Sequence, residues 1–377
     1  MLMAVFSHIL ERVKNLYSFI AACLLFTACS GSHVIEVYNP SDFARQEMVE
    51  IDRPVFCKEI FSLFDGNSEL PYQLTSSGKL IFPIELEAGQ SKIITVRNNV
   101  PSAFDTIATG AFYPERLDDL AWENDRAAYR AYGPALQASG EQAYGYDIWT
   151  KSVAEPVDKA RYDGELKHGR SYHHDYGNGM DAYSVGPTLG GGTAAGIDSL
   201  GGIIYPRSFT SFDILDNGPL RFTVRLTYDG SETRIISLDA NEFLNRTEVC
   251  FEDSNFPEIA PGIVVHRHNP EGYLLSPNQG FMAYADLTDN PDNSNGTIFV
   301  GVVMPEVESM RYLEMEKPSG DAIGHILSPK SYNPGDTLVY YWGSGWSKGF
   351  MPDWVAWTDY LAKFHQRITN PLEVTIK

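Results

Sequence analysis

The chain of 377 residues is poor in cysteine, in positive charge and in long apolar runs, and each shortage closes a class of function. Of its four cysteines, Cys23 and Cys29 fall in the first 29 residues, so the body of the chain keeps only Cys57 and Cys250. These two could pair in an oxidising compartment. Neither has a cysteine or histidine neighbour at zinc-ligand spacing, so a thiolate metal site has no support. Against 49 Asp and Glu stand 29 Lys and Arg, a formal charge of -20. Such a surface repels nucleic acid and acidic membranes, and a polyanionic ligand would need a local cationic cleft. Gly190-Gly191-Gly192 lacks the Lys-Ser/Thr of a phosphate loop, so nucleotide binding has no support. His266-Arg267-His268 has no carboxylate beside it in sequence and reads as a satisfied pair rather than a metal site. The run Asp289 to Gly296 is rich in oxygen ligands, but Val300 stands where a calcium loop needs its bidentate Glu, so it reads as a turn. The expectation is no metal and no cofactor.

What is present begins at the N-terminus. Arg12 and Lys14 precede an apolar run from Leu16 to Ala28 that is too short for a mature transmembrane helix. Phe26-Thr27-Ala28-Cys29 then resembles the lipobox at which bacterial lipoproteins are cleaved and acylated, with Phe26 where Leu is usual. Residues 1–28 read as a lipoprotein signal peptide, Cys29 as the lipidated residue, and residues 29–32 as a tether. Losing Glu11, Arg12 and Lys14 with the signal moves the charge from -20 to -21. Ser30, Gly31, Ser32 and His33 after the cysteine include no acidic sorting residue, so a lipoprotein anchored to the membrane and facing the periplasm of a Gram-negative envelope is expected.

Strand signals dominate the mature chain. His33 to Tyr38 alternates and stops at Asn39-Pro40, and Lys79 to Glu85 and Ser91 to Val96 flank the turn at Ala88-Gly89. Further strands are predicted at 221–228, 234–238, 262–266, 296–303 and 336–342. One helix is predicted, Met351 to Arg367, where Trp354, Trp357, Leu361 and Phe364 recur at helical spacing behind Pro352-Asp353. With 22 Pro, 32 Gly and 12% aromatics, the pattern predicts a mainly β fold, an antiparallel β-sandwich with a C-terminal helix. Residues 33–100 read as an N-terminal β-module and 101–377 as a large domain carrying the site.

Two segments concentrate chemistry. From Phe112 to Tyr132 three arginines mix with acids and aromatics. As one strand it would put Trp122, Asn124, Arg126, Arg130 and Tyr132 on one face, guanidinium forks beside an aromatic platform suited to sugar carboxylates, or else a solvated salt-bridge ladder. From Ser171 to Gly192, Tyr172, His173, His174, Asp175, Tyr176, Asp181 and Tyr183 sit among glycines. That suits a site loop with proton-transfer groups, and equally a set of tight turns with buried hydroxyls.

The ordered motifs Val34 to Asn39, Trp122-Glu-Asn-Asp-Arg126, Tyr146-Asp-Ile-Trp-Thr-Lys151, Tyr172-His-His-Asp-x-Gly177 and Tyr341-Trp-Gly-x-Gly-Trp346 resemble an exported Bacteroidota family called domain of unknown function 4861. The resemblance covers nearly the whole mature chain and implies a galactose-mutarotase-like β-supersandwich associated with polysaccharide utilisation. Leu189 departs from it, standing where the family often has Arg. The resemblance makes Trp122, Glu123, Asp125, Arg126, Lys151, Tyr172, His173, Asp175, Asp181 and Tyr183 the expected lining of one cleft. The leading expectation is a lyase or hydrolase acting on acidic, uronate-containing oligosaccharides. Arg126, Arg130 and Lys151 would engage the carboxylate. In the lyase form His173 is the base and Tyr172 or Tyr183 the acid; in the hydrolase form Glu123, Asp125 or Asp181 supply paired carboxylates. The alternatives are a non-catalytic glycan-binding lipoprotein with a platform of Trp122, Trp149, Tyr183, Trp342 and Trp346, or a sugar epimerase or mutarotase.

Overall fold

The computed structural model describes residues 33–229 and 231–377. The expected signal peptide, the expected lipidation site at Cys29 and the expected tether to Ser32 lie outside the described residues. The described chain is mostly β, in antiparallel sheets, with a C-terminal helix, as the alternation and turn pattern predicted.

An eight-stranded sheet runs in the order 211–217, 221–227, 232–239, 244–251, 337–346, 298–303, 281–286 and 273–276. A second sheet has the path 203–204, 191–197, 258–266, 322–327 and 311–319, and the short strand 330–331 also pairs with 258–266. Alternation does the work here: Phe222, Val224 and Leu226 from the first sheet share one core with Ala194, Ile263, Val265 and Ile326 from the second. The helix Trp354–Thr369 starts where Asp353 accepts from the Ala356 N–H at 2.9 Å, and lays Trp357, Leu361 and Phe364 on Phe281, Phe299 and Val303.

Residues 34–97 form two smaller sheets around a separate core of Ile35, Val37, Val49, Leu63, Phe82 and Ile94. The last strand, Glu373–Ile376, pairs with Val34–Tyr38 and so joins the chain's end to this sheet. Cys57 is buried in this core while Cys250 lies on strand 244–251, and both are free thiols, so the pairing considered from sequence does not form.

A four-stranded sheet, in the order 147–149, 128–131, 119–123 and 109–113, positions the candidate site. The segment Trp122 to Tyr132 is therefore two strands, not one. Asn124 turns the chain by accepting from the N–H groups of Arg126 and Ala127 at 2.8 and 3.0 Å, and anchors the turn through its amide on the Asp239 and Glu242 carbonyls. Because Trp122 pairs with Tyr129 and Ala121 with Arg130, the two faces differ sharply. One face sends Leu120, Trp122, Tyr129 and Ile148 into the sandwich core. The other carries Asp119, Glu123, Arg130, Asp147 and Trp149, all buried.

Candidate functional site

The charged face of the four-stranded sheet holds an ion cluster. The Arg130 guanidinium bonds Asp119 at 3.3 Å and Asp181 at 3.0 Å and pairs with Asp147, while Tyr132, Trp149 and Tyr172 offer ring faces about it. One cation among three carboxylates leaves surplus negative charge out of water. Burial, with neighbouring Asp147, pushes the Asp181 carboxyl well above its ordinary range, and burial raises Asp119.

Alongside it lies a second pair. The Lys151 ammonium donates to Glu123 at 2.7 Å, to the Asn124 carbonyl at 2.6 Å and to the Glu155 carbonyl at 3.0 Å, which uses all three of its protons. Glu123 in turn accepts from the N–H groups of Val157 and Asp158 and so caps the helix Asp158–His168.

The loop Ser171 to Tyr183 is laid over this face. Asp181 accepts no strand partner beyond a single bridge to Trp149, but its N–H donates to the Tyr172 carbonyl at 2.8 Å, and Met180 and Thr150 exchange bonds at 2.9 and 3.0 Å. Gly179 has φ +97°, and a Cβ there would meet the Thr150 carbonyl at 2.1 Å, so only glycine permits this contact. The docked loop holds the exposed His173 with Nδ1 at 3.1 Å from the Asp181 carbonyl and 3.7 Å from its carboxylate. The carbonyl can only accept, so Nδ1 is the donor of this contact, and in the neutral ring the lone pair is on Nε2.

A second histidine–aspartate pair lies beside the first, joined to it where the Asp289 N–H donates to the Ala182 carbonyl at 2.9 Å. His266 Nδ1 is 2.6 Å from Asp286, whose other oxygen accepts from the Thr288 N–H. The strand pairing slips at Val265/His266, a bulge of the kind that re-aims a side chain. Burial lowers the His266 pKa, but Asp286 and Asp321 outweigh that and raise it, so the imidazolium is favoured. Among the described residues its Nε2 is buried without a hydrogen-bond partner, and so is the hydroxyl of Tyr183, whose ring centroid lies 6.0 Å away. Both groups thus leave hydrogen-bonding capacity unfilled among the described residues.

The expected lining therefore divides. Arg130, His173, Asp181 and Tyr183 come together, joined by His266, Asp286 and Asp289. Trp122, Trp149, Trp342 and Trp346 are core anchors at 0, 1, 0 and 3% exposure, so they form no sugar platform. Their indole N–H groups are bonded to Asn245, Asp147, Thr247 and the Asn295 carbonyl. Lys151 is sealed against Glu123 and cannot reach a carboxylate ligand. Arg126 sits apart, over the Phe350 ring at 5.0 Å, paired with Asp125 and bonded to Asn241. Asp125 accepts from the Asn241 N–H, so Glu123 and Asp125 serve a helix start and a turn rather than opposing each other across a cleft. The Tyr172 hydroxyl is taken by Arg116 at 2.9 Å, and Asp175 closes its own turn on Gly177 and Gly179. His266 was legible as a histidine but not as a site residue, because Asp286 and Asp321 reach it only through strand pairing.

A cleft of about 790 Å³ lies elsewhere, between strand 45–52 and the outer face of the eight-stranded sheet. Several of its arginines are spent internally: Arg221 on Asp239 and Glu50, Arg246 on Glu248, Arg367 on Glu242. No histidine lines it.

The fold and site define an antiparallel β-sandwich protein with two adjoining histidine–aspartate pairs at one end of its sheets. The chain belongs to the family described as domain of unknown function (DUF4861), matched over residues 37–374. It is 28% identical to a protein named Uncharacterized protein P7 from Formosa agariphila, over 98% of this chain and all of that one. Among solved structures it is similar to a protein in glycosyl hydrolase family 38 from Enterococcus faecalis (TM-score 0.46, 8% identity) and to an alpha-mannosidase from Enterococcus faecalis V583 (TM-score 0.43, 7% identity). Each comparison covers 93% of this chain and about half of the other, 48% and 46%.

Proposed function

We propose that this protein is a carbohydrate-active enzyme that transfers protons on acidic, uronate-containing oligosaccharides, a lyase in its simplest form. The observation that carries the reading is the proximity of a base and an acid of opposite character. His173 stands exposed with Nδ1 engaged by the Asp181 carbonyl, which leaves Nε2 as the base, and the unpartnered Tyr183 hydroxyl and His266 Nε2 are the proton donors of the reading. In β-elimination His173 takes the proton on the carbon next to the uronate carboxylate, and that electron pair expels the glycosidic oxygen, which Tyr183 protonates. The hydrolase form has less support, since Glu123 and Asp125 are committed elsewhere. The binding module loses its platform to the core. The supersandwich relationship, the division at residue 100 and the Cys29 anchor in a periplasm-facing leaflet belong to the same proposal, and a tethered enzyme there would meet short soluble glycans after import.

Incubation with uronate oligosaccharides tests it. Elimination leaves an unsaturated product absorbing in the near ultraviolet, hydrolysis gives new reducing ends without that absorbance, and epimerisation changes neither. Failure of His173→Ala to slow turnover by on the order of a hundredfold would sink the lyase assignment.

A further inference from the structure

The proposal leaves one need unmet, because Arg126, Arg130 and Lys151, the cations first suited to a substrate carboxylate, are all held by internal partners. The structure nevertheless already holds a carboxylate opposite free histidine nitrogens. Asp321 lies on the two-residue tip of the hairpin joining strands 311–319 and 322–327, where Ser319 pairs with Ala322 and Gly320 takes φ +61°. Its Oδ1 is 4.0 Å from His266 Nε2 and its Oδ2 is 3.9 Å from His268 Nε2. Both gaps exceed a hydrogen bond. Among the described residues the only side-chain hydrogen bond to the Asp321 carboxylate comes from the Ser184 hydroxyl at 3.4 Å, whereas its backbone carbonyl is fixed by the Arg267 N–H at 2.8 Å. The carboxylate can thus rotate away without disturbing the hairpin.

We infer that His266, His268 and Ser184 form the subsite for the sugar carboxylate, and that Asp321 occupies the position this group takes when substrate binds. The inference rests on the acidic-substrate reading. Three features carry it. His266 Nε2 is nine-tenths buried, unpartnered and oriented by Asp286, so a ligand oxygen there gains a charge-assisted bond to a donor that has none. The two oxygens of Asp321 face two different imidazoles, a planar two-oxygen match that a carboxylate satisfies and a neutral hydroxymethyl does not. Tyr183 lies beside His266, which places the carboxylate-bearing carbon near the proposed acid. Asp321 then acts as a specificity gate: its charge repels an anionic sugar until it rotates out, and it leaves neutral sugars unaffected.

The test is binding of methyl glucuronoside, methyl glucoside and glucose 6-sulfate to the full-length protein, followed through histidine NMR signals and calorimetry. For Asp321→Asn, glucuronoside should bind on the order of tenfold tighter than to the unmodified chain, with glucoside unchanged, because a like charge a few ångströms away has been removed. His268→Gln, at a half-exposed position that folding tolerates, should weaken glucuronoside severalfold. Equal or weaker glucuronoside binding by Asp321→Asn overturns the inference, as does sulfate binding as well as carboxylate. Tighter glucuronoside binding with no unsaturated product keeps the subsite and rejects elimination. Elimination with a KM indifferent to Asp321→Asn does the reverse.

Discussion

Replacing Lys151 by Met separates a structural cation from a substrate-binding one. Lys151 and Glu123 have side-chain exposures of 0 and 3%, and the ammonium serves Glu123, the Asn124 carbonyl and the Glu155 carbonyl at once. Met keeps the stem's volume and removes the charge. Breaking one partner of a buried pair costs roughly 3–5 kcal/mol, because the remaining charge is left uncompensated. Here the N–H groups of Val157 and Asp158 still support Glu123, which places the loss near the lower end, about 3 kcal/mol. Adding Glu123→Gln removes the stranded charge, and the double variant should recover about half of the loss. Urea unfolding followed by tryptophan fluorescence measures both, with the midpoint falling and the denaturant slope unchanged. If Lys151→Met stays within about 0.5 kcal/mol of the unmodified chain while losing affinity for an acidic sugar, the pair is not the clamp described and Lys151 belongs to the ligand.

Asp158 is buried beside Glu123, and burial first, then that neighbour, raises its pKa well above the usual value. A raised carboxyl adds stability that is fully present below its unfolded pKa and lost as pH rises through the folded one, so the stability difference between Asp158→Asn and the unmodified chain should move in the variant's favour from pH 4 to pH 8. Thermal unfolding at several pH values checks this, and a pH-independent difference contradicts it. Trp122→Ala should cost about 3–5 kcal/mol in the same denaturation assay, since the indole fills the core and bonds Asn245 at 2.7 Å. Cys29→Ala should abolish palmitate labelling and release the protein from membranes; persistent labelling would remove the anchor proposal.

What could be read from sequence follows the range of the forces involved. The strand at 34–38 and the helix at 354–369 are written in local periodicity, since Ile35 and Val37 alternate inward and Trp357, Leu361 and Phe364 share one helix face. The turn at Asn124 was hidden because the residues around it keep an alternating pattern on both sides, and only the acceptor role of its side chain reverses the chain. The tryptophans misled for a related reason. Sequence shows that Trp122 and Trp149 lie on strands but not which faces are covered, and here one faces the sandwich core while the other lies under the helix 158–168 and the site loop. His266 depends on Asp286, 20 residues away, and on a hairpin tip further still, a proximity that exists only once the antiparallel register is set.

On the proposed reading, the same register makes Arg130 a positioning residue for His173. His173 has no contact with Arg130 in these bonds; it is held by Asp181, and Asp181 is held by the Arg130 fork together with Asp119 and Asp147. A lysine keeps the charge but offers a single point where three carboxylates need a planar fork. Arg130→Lys should therefore keep the fold, accelerate hydrogen exchange in residues 172–183 and lower kcat with little change in KM, while strands 221–227 and 232–239 exchange as before. Direct ligand binding by Arg130 would instead raise KM and leave loop exchange alone. Its exposure of only 4% and its full set of acidic partners weigh against that outcome, because a guanidinium that reaches substrate must first surrender one of them.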